Sequence, residues 1–174
     1  MPPRFYEQHP TRMAEHTMTI RFRVPKEFQE QVALFTWARL HEQVEPKLAL
    51  LYAVPNGELR SKATAAKLQK MGVKAGVPDI CLPAPVRHVH DHKTSWEQWY
   101  GCYLEMKRAT YTGALALEQA WWHARLSEQR YDVYVARGWV DAARHLCWYL
   151  GRQDLRKALV SSPGKPSIPQ NIES

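Results

Sequence analysis

Two short pieces of the sequence carry residues whose types and spacing could do chemistry: Pro78-Asp79 and Glu105-Met106-Lys107. Asp79 opens the apolar run Ile80-Cys81-Leu82, and Glu105 closes the run Tyr100-Gly101-Cys102-Tyr103-Leu104. Both runs read as strands, and Pro78 suits a strand start, where a missing N–H costs little. Strand side chains alternate between faces, so Tyr103, Glu105 and Lys107 share one face. Cys102, Leu104 and Met106 share the other, which is apolar and can face a core. If the two strands pair, Asp79 joins Glu105 and Lys107. Two carboxylates and a lysine at adjacent strand ends suit a hard metal ion. Such an ion would hold a phosphate oxygen and lower the pKa of a bound water. An acid-x-Lys pair alone also describes ordinary surface charges at a strand end, so the surroundings carry the weight.

The elements that must position these residues can be read in order. Residues 26–41 have apolar residues on two helical stripes, Phe28-Val32-Phe35 and Glu27-Gln31-Leu34-Ala38-His41, so the spacing predicts a helix buried on more than one side. Glu27 and Gln31 stand out on that second stripe, because buried polar groups need partners. The plain alternative is that Glu27 favours the positive end of the helix. Leu48–Val54 reads as a buried strand ending in the turn Pro55-Asn56-Gly57. Ser61 can cap a helix running to Met71, with Gly72 as its stop. Between Asn56 and Gly76 there are five basic residues (Arg60, Lys62, Lys67, Lys70, Lys74) and one acid, Glu58. This run precedes Asp79, which makes phosphate contacts credible for it.

Residues 83–99 form a polar insertion with His88, His90, Asp91 and His92. Its close alternate histidines read as a solvated loop rather than a transition-metal site. Thr112 is a candidate cap for a helix over 114–128, with Leu115, Gln119, Trp122 and Leu126 on one stripe. Gln119 interrupts that stripe as Gln31 does the first. Trp121 and Trp122 read as core and core-edge packing. Tyr131–Ala136 reads as a strand. Residues 139–150 read as a closing helix, with His145 on its flank in a structural role. From Gly151 the charge rises and packing signals fade, and residues 161–174 have the composition of a disordered tail.

The 174 residues suffice for one domain with tails. A net charge of +7 points to an anionic partner. The three cysteines, Cys81, Cys102 and Cys147, are far apart and odd in number, which argues for reduced core thiols over disulfides or a C-x-x-C zinc site. No apolar run reaches membrane-spanning length and residues 1–25 lack the apolar middle of a signal peptide, so a cytoplasmic, membrane-free protein is expected.

With its elements in this order, the sequence resembles the VRR-NUC nucleases of the PD-(D/E)xK superfamily, in the short stand-alone form found in phages and bacteria. The resemblance covers roughly residues 26–150. It rests on Glu27 with Gln31, the stretch 53–57 (Ala-Val-Pro-Asn-Gly), Arg60-Ser61 with residues 63–68, and the stretch 72–79 (Gly-Val-Lys-Ala-Gly-Val-Pro-Asp). It rests also on Glu105-Met106-Lys107-Arg108 and on Gly113 with Gln119 and Trp122. The order and spacing of these pieces carry it, since none is specific alone. The sequence departs from the family's pattern at Glu58, at the His-rich insertion and at Ala116, none of which is a proposed metal ligand.

The resemblance implies an α/β fold with a restriction-endonuclease-like core, a mixed central sheet flanked by helices. It implies an N-terminal arm over 1–25, a nuclease domain over 26–150 and a polar extension over 151–174. The implied activity is metal-dependent hydrolysis of DNA phosphodiester bonds, with Glu27, Asp79, Glu105, Lys107 and Gln119 in the active site. Mg²⁺ or Mn²⁺ would be held by Asp79, Glu105 and the backbone carbonyl of Met106. Asn56, Arg60, Lys67, Lys70 and Lys74 are the candidates for DNA phosphate contacts. Contacts of that kind position a substrate without reading its sequence, so the expectation is selectivity for branched or junction DNA. Cutting two backbones would call for a two-fold homodimer. The competing readings are a DNA-binding module without catalysis and a sequence-specific restriction-type nuclease.

Overall fold

The computed structural model describes residues 25–55, 62–90 and 95–161. Helix α1 (Glu27–His41) is followed by a 3₁₀ turn (Pro46–Leu50), strand β1 (Tyr52–Ala53), helix α2 (Lys62–Lys70) and strand β2 (Ile80–Leu82). Strands β3 (Val86–His90) and β4 (Ser95–Trp99) come next, then β5 (Cys102–Lys107), α3 (Leu117–Glu128), β6 (Asp132–Arg137), α4 (Trp139–Tyr149) and α5 (Gln153–Ser161). The main sheet has the order β1-β2-β5-β6. Its β1–β2 and β2–β5 pairs are antiparallel, and β5–β6 is parallel, which requires the crossover that α3 supplies. The sheet is thus mixed and flanked by helices, as expected from the sequence.

One face of the sheet packs on α1 and α4. Leu104 and Met106 of β5 enter that core with Leu34 and Ala38 of α1 and Ala142, Ala143 and Leu146 of α4. The inward side of α1 differs from the expected one. Phe28 is 66% exposed, and the buried residues are Glu30, Leu34, Trp37 and Ala38. The buried acid of α1 is therefore Glu30, while Glu27 is exposed. Glu30 can be buried because its Oε2 accepts a hydrogen bond of 2.9 Å from the backbone N–H of Trp139, the first residue of α4. A helix N-terminus offers unpaired N–H groups and a positive dipole end, which compensate a buried carboxylate.

Four further expectations are corrected. The expected buried strand over 48–54 is a 3₁₀ turn followed by a two-residue exposed strand, Pro46 opening the turn and Leu48 filling the core beneath it. The expected loop over 83–99 contains the β3–β4 hairpin, with Val86 opposite Trp99. There His88 is anchored by a 2.8 Å hydrogen bond between its Nε2 and the Tyr149 carbonyl, and its ring lies against Trp148. Helix α3 starts at Leu117 with Ala116 as its cap residue, so Thr112 does not cap it. The Gln119 side chain supplies the missing acceptor by reaching back to the Ala116 N–H (3.2 Å). Lastly, packing does not fade at Gly151: α5 returns Leu155 and Leu159 to the core. Residues 162–174, Asp91 and His92 lie outside the described residues, as does the N-terminal arm up to residue 24.

Candidate active site

The antiparallel register of β2 and β5, with Ile80 opposite Leu104, brings Asp79 to the level of Glu105. The Asp79 backbone carbonyl accepts from the Val54 N–H (2.7 Å), which anchors the residue on the β1 side. Its side chain turns the other way, and Oδ2 accepts from the Met106 N–H at 2.8 Å. Glu105 is 2% exposed. Its Oε1 accepts from Lys107 Nζ at 2.8 Å and from Gln119 Nε2. Its Oε2 is buried with no hydrogen-bond partner among the described residues. A buried carboxylate oxygen without a donor is costly.

On the other face of the sheet α3 lies against β6 and reaches Glu105 of β5 through Gln119, and its approach depends on the loop before β2. The Trp122 indole N–H donates to the Ala75 carbonyl (3.0 Å), and Lys74 Nζ lies 5.7 Å from the Trp122 ring centre. Gly76 has φ of +79°, and a Cβ on it would meet the backbone carbon of Glu118 at 2.7 Å. A glycine is thus required on two counts, the left-handed backbone and the close passage of α3. This passage sets Gln119, in the first turn of α3, within reach of Glu105. Trp121, expected in or near the core, is 56% exposed; only Trp122 of the pair is half-buried.

The electrostatics follow from this crowding. Burial first, and then the charge of Asp79, push the Glu105 carboxyl up to about 7, against the opposing hydrogen bond and charge of Lys107. Burial also raises Asp79, with Met106 N–H and Lys107 working against it and Glu27 adding to it. Burial works to lower Lys107, but the hydrogen bond and charge of Glu105, with Glu27 and Asp79, outweigh it and hold the ammonium above its ordinary value. Glu27, exposed at the start of α1, is therefore close enough for its charge to act on all three. Lys107 Nζ also sits 5.4 Å from the Tyr111 ring centre.

The structure thus brings Glu27, Asp79, Glu105, Lys107 and Gln119 to one end of β5. Lys67, Lys70 and Lys74 are exposed, on α2 and in the loop that follows it. Asn56 and Arg60 lie outside the described residues. His123 escaped the sequence reading. It stands one turn after Gln119, with its Nε2 buried and unpartnered among the described residues. Burial, then the charge of Lys107, lowers its pKa and keeps the ring neutral. The signal for it was the i, i+4 spacing from Gln119, which puts both on one helix side.

A divalent cation fits the donors present. Asp79 and Glu105 offer oxygen, burial raises both carboxyls, the charge of Asp79 raises Glu105 further, and Glu105 Oε2 has no partner among the described residues; a hard cation would relieve this crowding.

No family model matches the sequence, and no curated protein matches it. Among solved structures, one described as a "VRR_NUC domain protein" matches with a TM-score of 0.57 at 20% sequence identity, covering 75% of this chain and 92% of that one. The chain therefore shares the fold of that protein, the architecture that the order and spacing of the pieces over residues 26–150 suggested. No helix among the described residues is long and apolar enough to cross a membrane.

The raised carboxyls predict how the metal-free protein responds to pH. The Glu105 pKa is 4.5 ordinarily and about 7 in the folded state. The folded protein therefore holds this proton more tightly than the unfolded chain, and the resulting stability is fully present below pH 4.5 and lost as pH rises through 7. The loss is on the order of 3 kcal/mol at most, and Asp79 adds to it with the same sign. Denaturant titrations in EDTA across this window should show falling stability for the wild type and a flatter profile for Glu105→Gln. Equal slopes would show that Glu105 is not strained by its neighbours.

Proposed function

We propose that the protein is a nuclease that hydrolyses DNA phosphodiester bonds with the help of Mg²⁺ or Mn²⁺. The observation that carries this reading is the meeting of Asp79 with Glu105, one of whose buried oxygens lacks a donor among the described residues, beside a lysine held protonated. The fold, shared with a protein whose name specifies a nuclease domain, supports the same class. Asp79, Glu105 and the Met106 backbone carbonyl would hold the ion. Once bound, it would supply positive charge against the phosphate and acidify a water.

The chain's own residues then divide the remaining work. Gln119 and Lys107 both engage Glu105 Oε1, which fixes the carboxylate and leaves Oε2 available. Lys107, stabilised as an ammonium, is suited to offset charge on the pentacovalent phosphate rather than to take a proton. Glu27 adds a third negative charge at the rim, where it would orient the attacking water or help to hold a second ion. Lys67, Lys70 and Lys74 would engage backbone phosphates, together with Asn56 and Arg60. Such contacts position DNA without reading bases, so we assign preference to DNA shape, in the form of branches and junctions. Action on two strands would use a homodimer.

The test is a cleavage panel of supercoiled plasmid, duplex, flap, fork, single-stranded and four-way junction DNA with Mg²⁺ or Mn²⁺. Asp79→Ala and Glu105→Ala should each lower the single-turnover rate by at least about a hundredfold, more than is common for outer-shell changes at a metal, while still binding DNA. Wild-type binding without metal-dependent cutting of any substrate would instead mark a non-catalytic DNA-binding module.

The lysines make a separate prediction. Replacing Lys67, Lys70 and Lys74 together should weaken binding and reduce the slope of log affinity against log salt by roughly one unit per lost contact. An unchanged slope would remove these three from the DNA interface.

A further inference from the structure

A second group of side chains with metal-ligating atoms lies on the opposite face of the sheet, at the far end of β5. Cys102 and Asp132 are the first residues of β5 and β6 and are register partners, so both point toward α4. His145 reaches them from α4. Cys102 Sγ, one Asp132 oxygen and one His145 nitrogen all lie within 4.8 Å of one another. Cys102 is fully buried, and the side chains of Asp132 and His145 are each 12% exposed. His145 Nε2 and Asp132 Oδ2 are hydrogen bonded at 2.5 Å, with the Cys102 thiol beside them. The His145 ring is fixed by Tyr134, stacked on it at 3.9 Å with an interplanar angle of 4°. None of these residues belongs to the Asp79–Glu105 site.

We propose that Cys102, Asp132 and His145 form a binding site for a zinc-class divalent cation. The donor set is one thiolate, one carboxylate and one imidazole, which selects borderline-soft ions such as Zn²⁺ over Mg²⁺. It contrasts with the oxygen donors of the Asp79–Glu105 site, so the two sites discriminate between ions. Residues of β5, β6 and α4 converge on it, Cys102 lying 30 positions before Asp132 in the sequence, and two of the ligands are set side by side by the sheet register. Without the ion, Asp132 is partnered by the imidazole. Binding would release the thiol proton to solvent and break the His145–Asp132 hydrogen bond, the neutral ring keeping its proton on the nitrogen that does not ligate, and the ion's charge would stabilise the thiolate that burial disfavours. The fourth position would lie on the side where Asp132 and His145 reach the surface, open to a water or to a donor from outside. A bound ion would tie α4 to the start of β5, the strand that carries Glu105 and Lys107 at its other end.

Cobalt(II) is the probe, because a Co²⁺–thiolate bond gives a near-ultraviolet charge-transfer band that carboxylate ligands do not. The full chain, reduced and freed of metal, is titrated with Co²⁺ in excess Mg²⁺, which keeps the oxygen site occupied. The expected result is one equivalent of Co²⁺ bound with a charge-transfer band, and loss of the band on adding Zn²⁺. Cys102→Ser should abolish the band, while Cys81→Ser and Cys147→Ser should retain it. Should Cys102→Ser not fold, as judged by circular dichroism, His145→Gln serves instead and should weaken Co²⁺ binding by at least about tenfold, the smaller loss seen even for outer-shell changes. No band in the wild type overturns the proposal. So does a band that survives Cys102→Ser, or affinity unchanged by His145→Gln.

Discussion

Burying Glu105 beside Asp79 works against stability, because each carboxylate loses water and meets a like charge, and both are pushed toward protonation. Much of the surrounding structure serves to hold them there. The sheet register puts the two acids at one level, the Met106 amide holds Asp79, and Lys107 and Gln119 together hold one oxygen of Glu105. These contacts engage two of the four carboxylate oxygens, and Glu105 Oε2 is left without a donor among the described residues. A native fold leaves few such groups, and they concentrate where a ligand completes them. Strain of this kind is what a cation site looks like when judged by its protein atoms alone.

Glycine and tryptophan, rather than charge, bring α3 into place. Gly76 lets the loop pass against the backbone at Glu118, and Trp122 ties α3 to the Ala75 carbonyl. The same loop runs directly into Asp79. The stretch from Lys74 to Asp79 therefore couples three features: an exposed cation, the seat of the helix that carries Gln119, and the first acid. On the other sheet face, Glu30 plays a matching role for α4, capping it from within the core. The acid on α1 that packs and the acid on α1 that lies near the site are one turn apart, and only the second contributes charge to the Asp79–Glu105 pair.

The central strands were legible because alternation leaves little freedom. An apolar Cys102-Leu104-Met106 face forces Glu105 and Lys107 onto the other side, and the pairing with β2 then brings in Asp79. Gln119 was visible as a polar interruption in an apolar stripe, and the structure sets it against Glu105. The same reasoning failed on α1, where it singled out Glu27 and Gln31 as inward and passed over Glu30. The reason is physical: a carboxylate can occupy a core position when a distant helix end supplies its partner, and the partner is 109 residues away in sequence. The β3–β4 hairpin was missed because its polar, histidine-rich composition resembles a loop, and its order comes from tertiary anchors such as His88 on the Tyr149 carbonyl. His145 was read as structural from its flank position, and its hydrogen bond to Asp132 and stacking on Tyr134 agree with that reading.

The central claim is that the donor-free oxygen of Glu105 and the carboxylate of Asp79 exist to hold a hard divalent ion. Its most direct test is calorimetric titration of Mn²⁺ into the metal-free protein and into Glu105→Gln, with folding of both checked by circular dichroism. The account predicts saturable Mn²⁺ binding by the wild type and its loss in the variant, which keeps the side chain's shape but not its charge. Equal Mn²⁺ binding by a folded Glu105→Gln protein would contradict it.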